Sequence, residues 1–115
     1  GMFVGVGSDH TDRHVETYSI TASKQMCVKP IAPAAWRHND VADHWGEPVL
    51  RSWTIDDGDR RLYQEGSVAA MRTPEDLIER HLDGGRELPA GTAMFCGTLA
   101  VRGEVASAGR FEFDI

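Results

Sequence analysis

The sequence has few cysteines, few basic residues and no long apolar run, and each shortage excludes a class of protein. Its two cysteines, Cys27 and Cys96, form no Cys-x-x-Cys pair, which excludes a zinc knuckle or a disulfide framework. Twelve basic residues stand against 18 acidic ones, and the net charge of -6 predicts no nucleic-acid partner. No apolar stretch approaches the ~20 residues of a membrane helix, and no charged leader is present. We therefore expect a cytoplasmic protein with reduced thiols and no membrane contact.

The length fits a single domain. A domain of 115 residues buries roughly two thirds of the surface that its unfolded chain exposes, which is enough for a modest core. Gly1 precedes Met2 and is interpreted as a residue left by an expression tag, so the predicted domain spans residues 2–115.

Candidate chemistry concentrates in the stretch from Val4 to Pro33. Residues 4–7 predict a short strand whose glycines permit close approach, and residues 8–14 follow it with mostly polar side chains. A strand that delivers polar groups onto a loop is a common design for a binding site. The alternative interpretation is that Ser8 or Asp9 caps a helix whose exposed face carries the other polar residues.

A hairpin and a helix are the clearest local predictions. Residues 49–55 and 60–64 flank an Asp-Gly pair at Asp57 and Gly58, which supplies the positive φ angles of a tight hairpin turn. Further on, Thr73 is followed by proline and two acidic residues, the pattern of a helix start, and Gly84-Gly85 predicts its end.

The remaining segments carry weaker patterns. Residues 17–27 favour strand and helix about equally, so their type stays open, whereas the prolines of residues 28–33 predict an extended connector. The apolar run 92–96 predicts a buried strand that places Thr98 at its end. Residues 110–115 alternate apolar and charged side chains, as a half-buried strand does.

Several segments, in this order, resemble the central part of the fumarylacetoacetate hydrolase family. They are Gly7 to Arg13 (GSDHTDR), Ser23 to Cys27 (SKQMC), Pro30 to Pro33 (PIAP), Tyr63 to Met71 (YQEGSVAAM), Leu88 to Thr92 (LPAGT) and Cys96 to Thr98 (CGT). Asp9 and Arg13 have the family's spacing, whereas the segment around Lys24 fits with a gap of about one residue. More narrowly, the sequence is similar to an uncharacterised bacterial branch of that family.

The resemblance implies a fold, a reaction and a set of site residues. The fold would be α+β, a mostly-β mixed roll with two or three short helices. The function would be that of a hydrolase or lyase that uses Mg²⁺ or Mn²⁺ to cleave C–C bonds in, or decarboxylate, a β-diketo or 2-oxo acid. Asp9 would bind the metal, Arg13 and Lys24 would be catalytic cations, and Thr98 and Gln25 would bind the substrate.

The sequence also departs from the family pattern. Family members take further metal ligands from a Glu-x-Glu pair, and no two glutamates here are separated by one residue. We therefore expect a chain that lacks the N-terminal part of the domain, binds metal weakly or not at all, and is inactive in this short form. The alternative is a catalytically degenerate relative that keeps the fold and an oligomer interface.

Two further expectations concern assembly and a different metal. A partial roll would expose apolar surface, which predicts a homodimer. Independently of the family, His10, Asp12 and His14 are candidate ligands for zinc or iron, because His10 and His14 are four residues apart and would face one side of a helix. Solvated histidines on a loop are the competing interpretation of that spacing.

Overall fold

The computed structural model describes residues 1–85 and 87–115, over which the fold is α+β, as predicted. Its elements are β1 (Phe3–Val4), α1 (Ile20–Gln25), β2 (Trp36–Arg37), α2 (His38–Val41), β3 (Val49–Asp56), β4 (Asp59–Ser67), α3 (Pro74–Leu82) and β5 (Arg110–Asp114). Short 3₁₀ turns occupy Val15–Thr17, Ala42–His44 and Val68–Ala70. The strands form a two-stranded sheet, β1-β2, and a three-stranded sheet in the order β4-β3-β5.

The predicted hairpin is confirmed as the pair of antiparallel strands β3 and β4. Asp57 and Gly58 form its turn with φ angles of 50° and 80°, so both central residues have the positive φ of a type I′ turn. This turn twists in the same sense as the strands that it joins, which fixes the register from Asp56 paired with Asp59 onward. A bulge interrupts the register between Ser52 and Trp53.

Strand β5 pairs with the free edge of β3 and brings the end of the chain onto the hairpin, as its alternation predicts. Phe111 lies opposite Thr54 and Phe113 opposite Ser52, so both rings are on one face of the sheet. On that face Phe111 also packs edge-on against Tyr63, at 6.1 Å between ring centroids. The described apolar residues that are buried are few: Val6, Tyr63, Val68 and Leu99.

The N-terminal segment is less regular than predicted. The strand expected over residues 4–7 is reduced to β1 and a single bridge between Gly7 and Ile31. Prolines 30 and 33 explain the interruption, because a proline has no N–H to donate to a ladder. The chains approach closely here, since a Cβ at position 7 would lie 3.1 Å from a methyl of Ile31 and its neighbours would have to shift by a few tenths of an ångström.

The predicted helix is confirmed, and one predicted strand is wrong. Helix α3 begins with the Thr73 hydroxyl accepting a hydrogen bond from the Asp76 backbone N–H, and Asp83 ends it in the left-handed conformation. Residues 92–96 form no strand, and Phe95 is 45% exposed. Glycines with positive φ at positions 91 and 97 bound this short run and prevent regular pairing.

Among the described residues, no helix has both the length and the apolar character needed to cross a bilayer.

Candidate functional site

The Asp9 carboxylate is the centre of a compact cluster of charged side chains. Its Oδ2 accepts a hydrogen bond from Lys24 Nζ at 2.6 Å, and its Oδ1 lies 2.8 Å from Lys29 Nζ. All three side chains are between 31% and 41% exposed, so the cluster is partly accessible to solvent. One carboxylate between two ammonium groups leaves a net charge of about +1 on what we call the Asp9 cluster.

The lysines of the Asp9 cluster are the only two in the sequence, whose other ten basic residues are arginines. Lys24 lies 15 residues after Asp9, and Lys29 lies five residues after Lys24. An ammonium group is a compact point charge with three donors, whereas a guanidinium offers a planar fork. Both lysines of the sequence thus contact the Asp9 carboxylate.

The two lysines differ in how many of their donors are used. Lys29 Nζ contacts Asp9 and also donates to the backbone carbonyls of His10 at 2.6 Å and Lys24 at 2.5 Å. Its three N–H groups are therefore all engaged. Lys24 Nζ donates to Asp9 and, at 3.3 Å, to the Thr11 hydroxyl, which leaves one N–H directed to solvent.

Helix α1 positions Lys24 next to the loop of residues 8–12. The Ser19 hydroxyl caps the helix by accepting from the Ala22 backbone N–H. One turn later Ser23 is fully buried, and its carbonyl accepts a hydrogen bond from the Asp12 backbone N–H at 3.0 Å. This contact fixes the helix to the loop, and Lys24 is the next residue along the helix.

The ammonium groups change the ionisation of the carboxylate between them. Hydrogen bonds from Lys24 and then Lys29 hold the pKa of Asp9 below its ordinary value, against the opposing effect of burial. Asp9 is therefore ionised at neutral pH and carries the negative charge that pairs with both ammonium groups.

A second pair of reactive groups lies on the same loop. The Ser8 hydroxyl and His10 Nδ1 are 2.7 Å apart, within hydrogen-bonding distance. The imidazole also contacts Phe111 edge-on at 5.9 Å between centroids. Ser8 and His10 flank Asp9 in the sequence, and the His10 ring packs against the three-stranded sheet through Phe111.

The donor set of the Asp9 cluster does not fit Mg²⁺ or Mn²⁺. Both Asp9 oxygens already face ammonium groups, and hard cations require six or more oxygen ligands. Over residues 1–85 and 87–115, no three His, Cys, Asp or Glu side chains lie together in a way that could hold a metal ion. The zinc hypothesis fails for the same reason, since Asp12 instead accepts from the backbone N–H groups of His14 and Val15.

The structure brings Lys24 to Asp9, but it places the other predicted site residues elsewhere. Arg13 is exposed and pairs with Glu16 three residues later, at 3.2 Å. Gln25 is exposed at the end of α1 and is not among the groups described as bonded to Asp9. Thr98 lies in irregular chain, not at a strand end, and its hydroxyl accepts from Gln64 at 2.8 Å.

Three residues of this region were missed as candidates for the site: Ser8, His10 and Lys29. Ser8 had been considered only as a helix cap and His10 only as a zinc ligand. The scarcity of lysine was a signal in the sequence that could have drawn attention to Lys29. The Ser8–His10 hydrogen bond had no such signal, because a Ser-x-His spacing is common and its contact depends on the loop conformation.

Comparison with models of known protein families shows to which family the chain belongs. The family described as "Protein of unknown function (DUF2848)" matches residues 1–115. The chain belongs to this family. The predicted membership of the fumarylacetoacetate hydrolase family is therefore wrong, because the match over the whole chain is to the DUF2848 family. Three of the short motifs that suggested the resemblance, GSDHTDR, LPAGT and CGT, consist mostly of glycine, proline and small polar residues, which recur in unrelated turns.

No curated protein and no solved structure matches this DUF2848 family chain. The geometry of the Asp9 cluster is consequently the main guide to its chemistry.

Proposed function

We propose that the Asp9 cluster binds the carboxylate of a small 2-oxo or β-diketo acid, and that the chain acts on this acid as a hydrolase or lyase. The observation that carries the proposal is the Lys24 ammonium group, which keeps one N–H free, is partly exposed, and is fixed in place by Asp9. A fixed ammonium with a free donor is a suitable partner for an anionic group, because little ordering is needed on binding.

The charge of the cluster supports an anionic ligand. With two ammonium groups against one carboxylate, the cluster stays positive in a chain whose net charge is -6. An oxo acid that places its carboxylate at Lys24 would bring its carbonyl toward the neighbouring loop, where Ser8 and His10 lie. Positive charge near that carbonyl would stabilise the oxygen anion formed when a bond to the carbonyl carbon is attacked.

We assign no step to a metal ion, because the described donors do not fit one. We also propose a cytoplasmic location. Both cysteines are free thiols, which is the usual state in a reducing compartment.

Replacing Lys24 by methionine is expected to weaken binding of acetylpyruvate about tenfold, because one charge-assisted hydrogen bond worth about 1.5 kcal/mol is lost. Lys24→Arg should recover part of the affinity. Isothermal titration calorimetry measures the affinity for acetylpyruvate, and repeating it with MgCl₂ shows whether binding depends on the metal. Arg13→Met is the matched control, since it removes a cation of the same loop that pairs with Glu16 instead. Equal losses in both methionine variants, or none in either, would contradict the proposal.

A second candidate function is a non-catalytic domain that works through self-association, and exposed apolar residues favour it. Five large apolar side chains between residues 18 and 31 are between 62% and 79% exposed: Tyr18, Ile20, Met26, Val28 and Ile31. Apolar surface of this amount on one segment commonly marks an interface. Both candidate functions are compatible with a homodimer formed through this segment.

We expect light scattering to give the mass of a dimer, and we expect Val28→Lys to shift the protein toward monomer because a charge would be buried at the interface. Val105→Lys is the control, since Val105 is also exposed but lies in the later loop, outside the proposed interface. A wild-type protein that is monomeric at every concentration measured would show that this segment does not mediate association.

A further inference from the structure

The hydrogen bond between Ser8 and His10 is not needed to bind an anion at Lys24. The two atoms involved, a hydroxyl oxygen and an imidazole nitrogen, are 2.7 Å apart. For the hydroxyl to donate, Nδ1 must be unprotonated, so the neutral ring would carry its proton on Nε2. A serine whose proton faces an imidazole base is the arrangement of an activated nucleophile.

Several contacts hold this pair in position. The Ser8 backbone N–H donates to the Pro30 carbonyl at 2.9 Å, next to the bridge between Gly7 and Ile31. On the other side, the His10 carbonyl accepts from Lys29 Nζ at 2.6 Å, while its ring packs on Phe111. Both the backbone and the ring of the base are thereby fixed, as preorganisation of a catalytic pair requires.

The pair is also accessible to a small molecule. Ser8 and His10 are both half-buried, and Lys24 of the same cluster keeps a donor directed to solvent. Phe111 contacts both His10 and Tyr63, so an apolar wall from the sheet lies beside the imidazole. The loop thus combines a nucleophile, a base, a cation and an apolar surface.

We infer that Ser8 is a covalent nucleophile and His10 its general base in an acyl-transfer reaction. Ser8 Oγ forms a bond to a substrate carbonyl carbon while its proton passes to His10 Nδ1, and the net positive charge of the Asp9 cluster stabilises the resulting oxyanion. The bond from that carbon to the leaving carbon then breaks, and the leaving enolate takes the proton from His10. Water, deprotonated by His10, releases the acyl group as a carboxylic acid and restores Ser8.

The choice of a β-diketo acid as the substrate rests on the proposed function, but the nucleophile does not. Reaction with a fluorophosphonate probe therefore tests the inference independently, because such probes phosphonylate activated serines and need no carboxylate site. We expect wild-type protein to be labelled once, with the adduct mapped to Ser8 by peptide mass spectrometry.

His10→Gln should lower the labelling rate by about 10²-fold or more, because the base is removed. The control His14→Gln, an exposed histidine four residues later, should label at the wild-type rate. Ser107→Ala, which removes an exposed hydroxyl elsewhere, should also label normally. No adduct on Ser8 in folded wild-type protein, or equal rates for both histidine variants, would overturn the inference.

The outcome is distinguishable from that of the calorimetric experiment. Labelled Ser8 in a protein that binds no acetylpyruvate would refute the proposed substrate and leave the nucleophile established. Binding of acetylpyruvate through Lys24 without labelling would refute the nucleophile and leave the anion site established.

Discussion

Replacing Lys29 by methionine is expected to lower the free energy of unfolding by about 3 kcal/mol. The substitution removes three hydrogen bonds from one ammonium group, and it leaves the carbonyls of His10 and Lys24 without that donor. It also leaves the loop of residues 8–12 less firmly joined to the segment that follows α1. Urea denaturation followed by tryptophan fluorescence measures the change.

Lys24→Met is the matched control for this prediction, since it removes the other ammonium group of the cluster. Lys24 contacts only the Asp9 carboxylate and, through a longer hydrogen bond, the Thr11 hydroxyl, and its side chain is more exposed than that of Lys29. We therefore expect the free energy of unfolding to fall by less than about 1 kcal/mol. Lys29 would then mainly stabilise the fold, and Lys24 would mainly bind the ligand. Equal destabilisation by the two variants would contradict this division.

Replacing Asp9 by asparagine is expected to lower the free energy of unfolding by about 2 kcal/mol at pH 7. The amide accepts hydrogen bonds more weakly than the carboxylate, and the two ammonium groups then repel each other without a counter-charge. The value is kept moderate because the three side chains are about one third exposed and solvent screens them. Chemical denaturation of the two proteins at several pH values gives the measurement.

The difference between wild type and Asp9→Asn should depend on pH with a defined sign. The pKa of Asp9 is lowered in the folded protein, so its stabilisation is fully present above the ordinary value of 3.8. The stabilisation is lost as pH falls below 3.8 and through the folded-state pKa, because the carboxyl is then protonated in both states. The two proteins should converge in acid. A constant difference from neutral pH to strong acid would show that the Asp9 charge is not the cause.

Asp43→Asn serves as the control for the pH series, because Asp43 is an exposed acid in the 3₁₀ turn Ala42–His44. We expect it to change the free energy of unfolding by less than about 0.5 kcal/mol at any pH. A larger pH-dependent effect in this variant would mean that the overall negative charge, not the Asp9 cluster, governs acid stability.

Sequence reasoning identified Asp9 and Lys24 as candidates for one site but assigned them the wrong partners. Asp9 was expected to face a metal ion, and it faces two ammonium groups. The structure brings Lys24 to Asp9, but the roles predicted for them came from a family to which the chain does not belong. Arg13 was separated from them because a carboxylate three residues away, Glu16, was a nearer partner.

The failure at residues 92–96 has a different cause. The run is apolar and of strand length, but a strand also needs a neighbour with free N–H and C=O groups. In the described sheet the outer edges of β4 and β5 are open, but residues 92–96 pair with neither, and glycines with positive φ at positions 91 and 97 bound the run. Whether a short apolar run pairs is therefore settled by the arrangement of the other strands, which local pattern does not contain.

The amino-acid sequence by itself determined the β3–β4 hairpin, helix α3 and strand β5. Each depends on residues that are close in the chain: the turn at Asp57-Gly58, the cap at Thr73, and the alternation from Arg110 to Asp114. Only the tertiary structure decided that Lys24 and Lys29 meet Asp9 and that Ser8 faces His10. The lysine contacts require α1 to fold back against the loop of residues 8–12, and they join groups far apart in the sequence. The Ser8–His10 contact depends on the conformation of that loop.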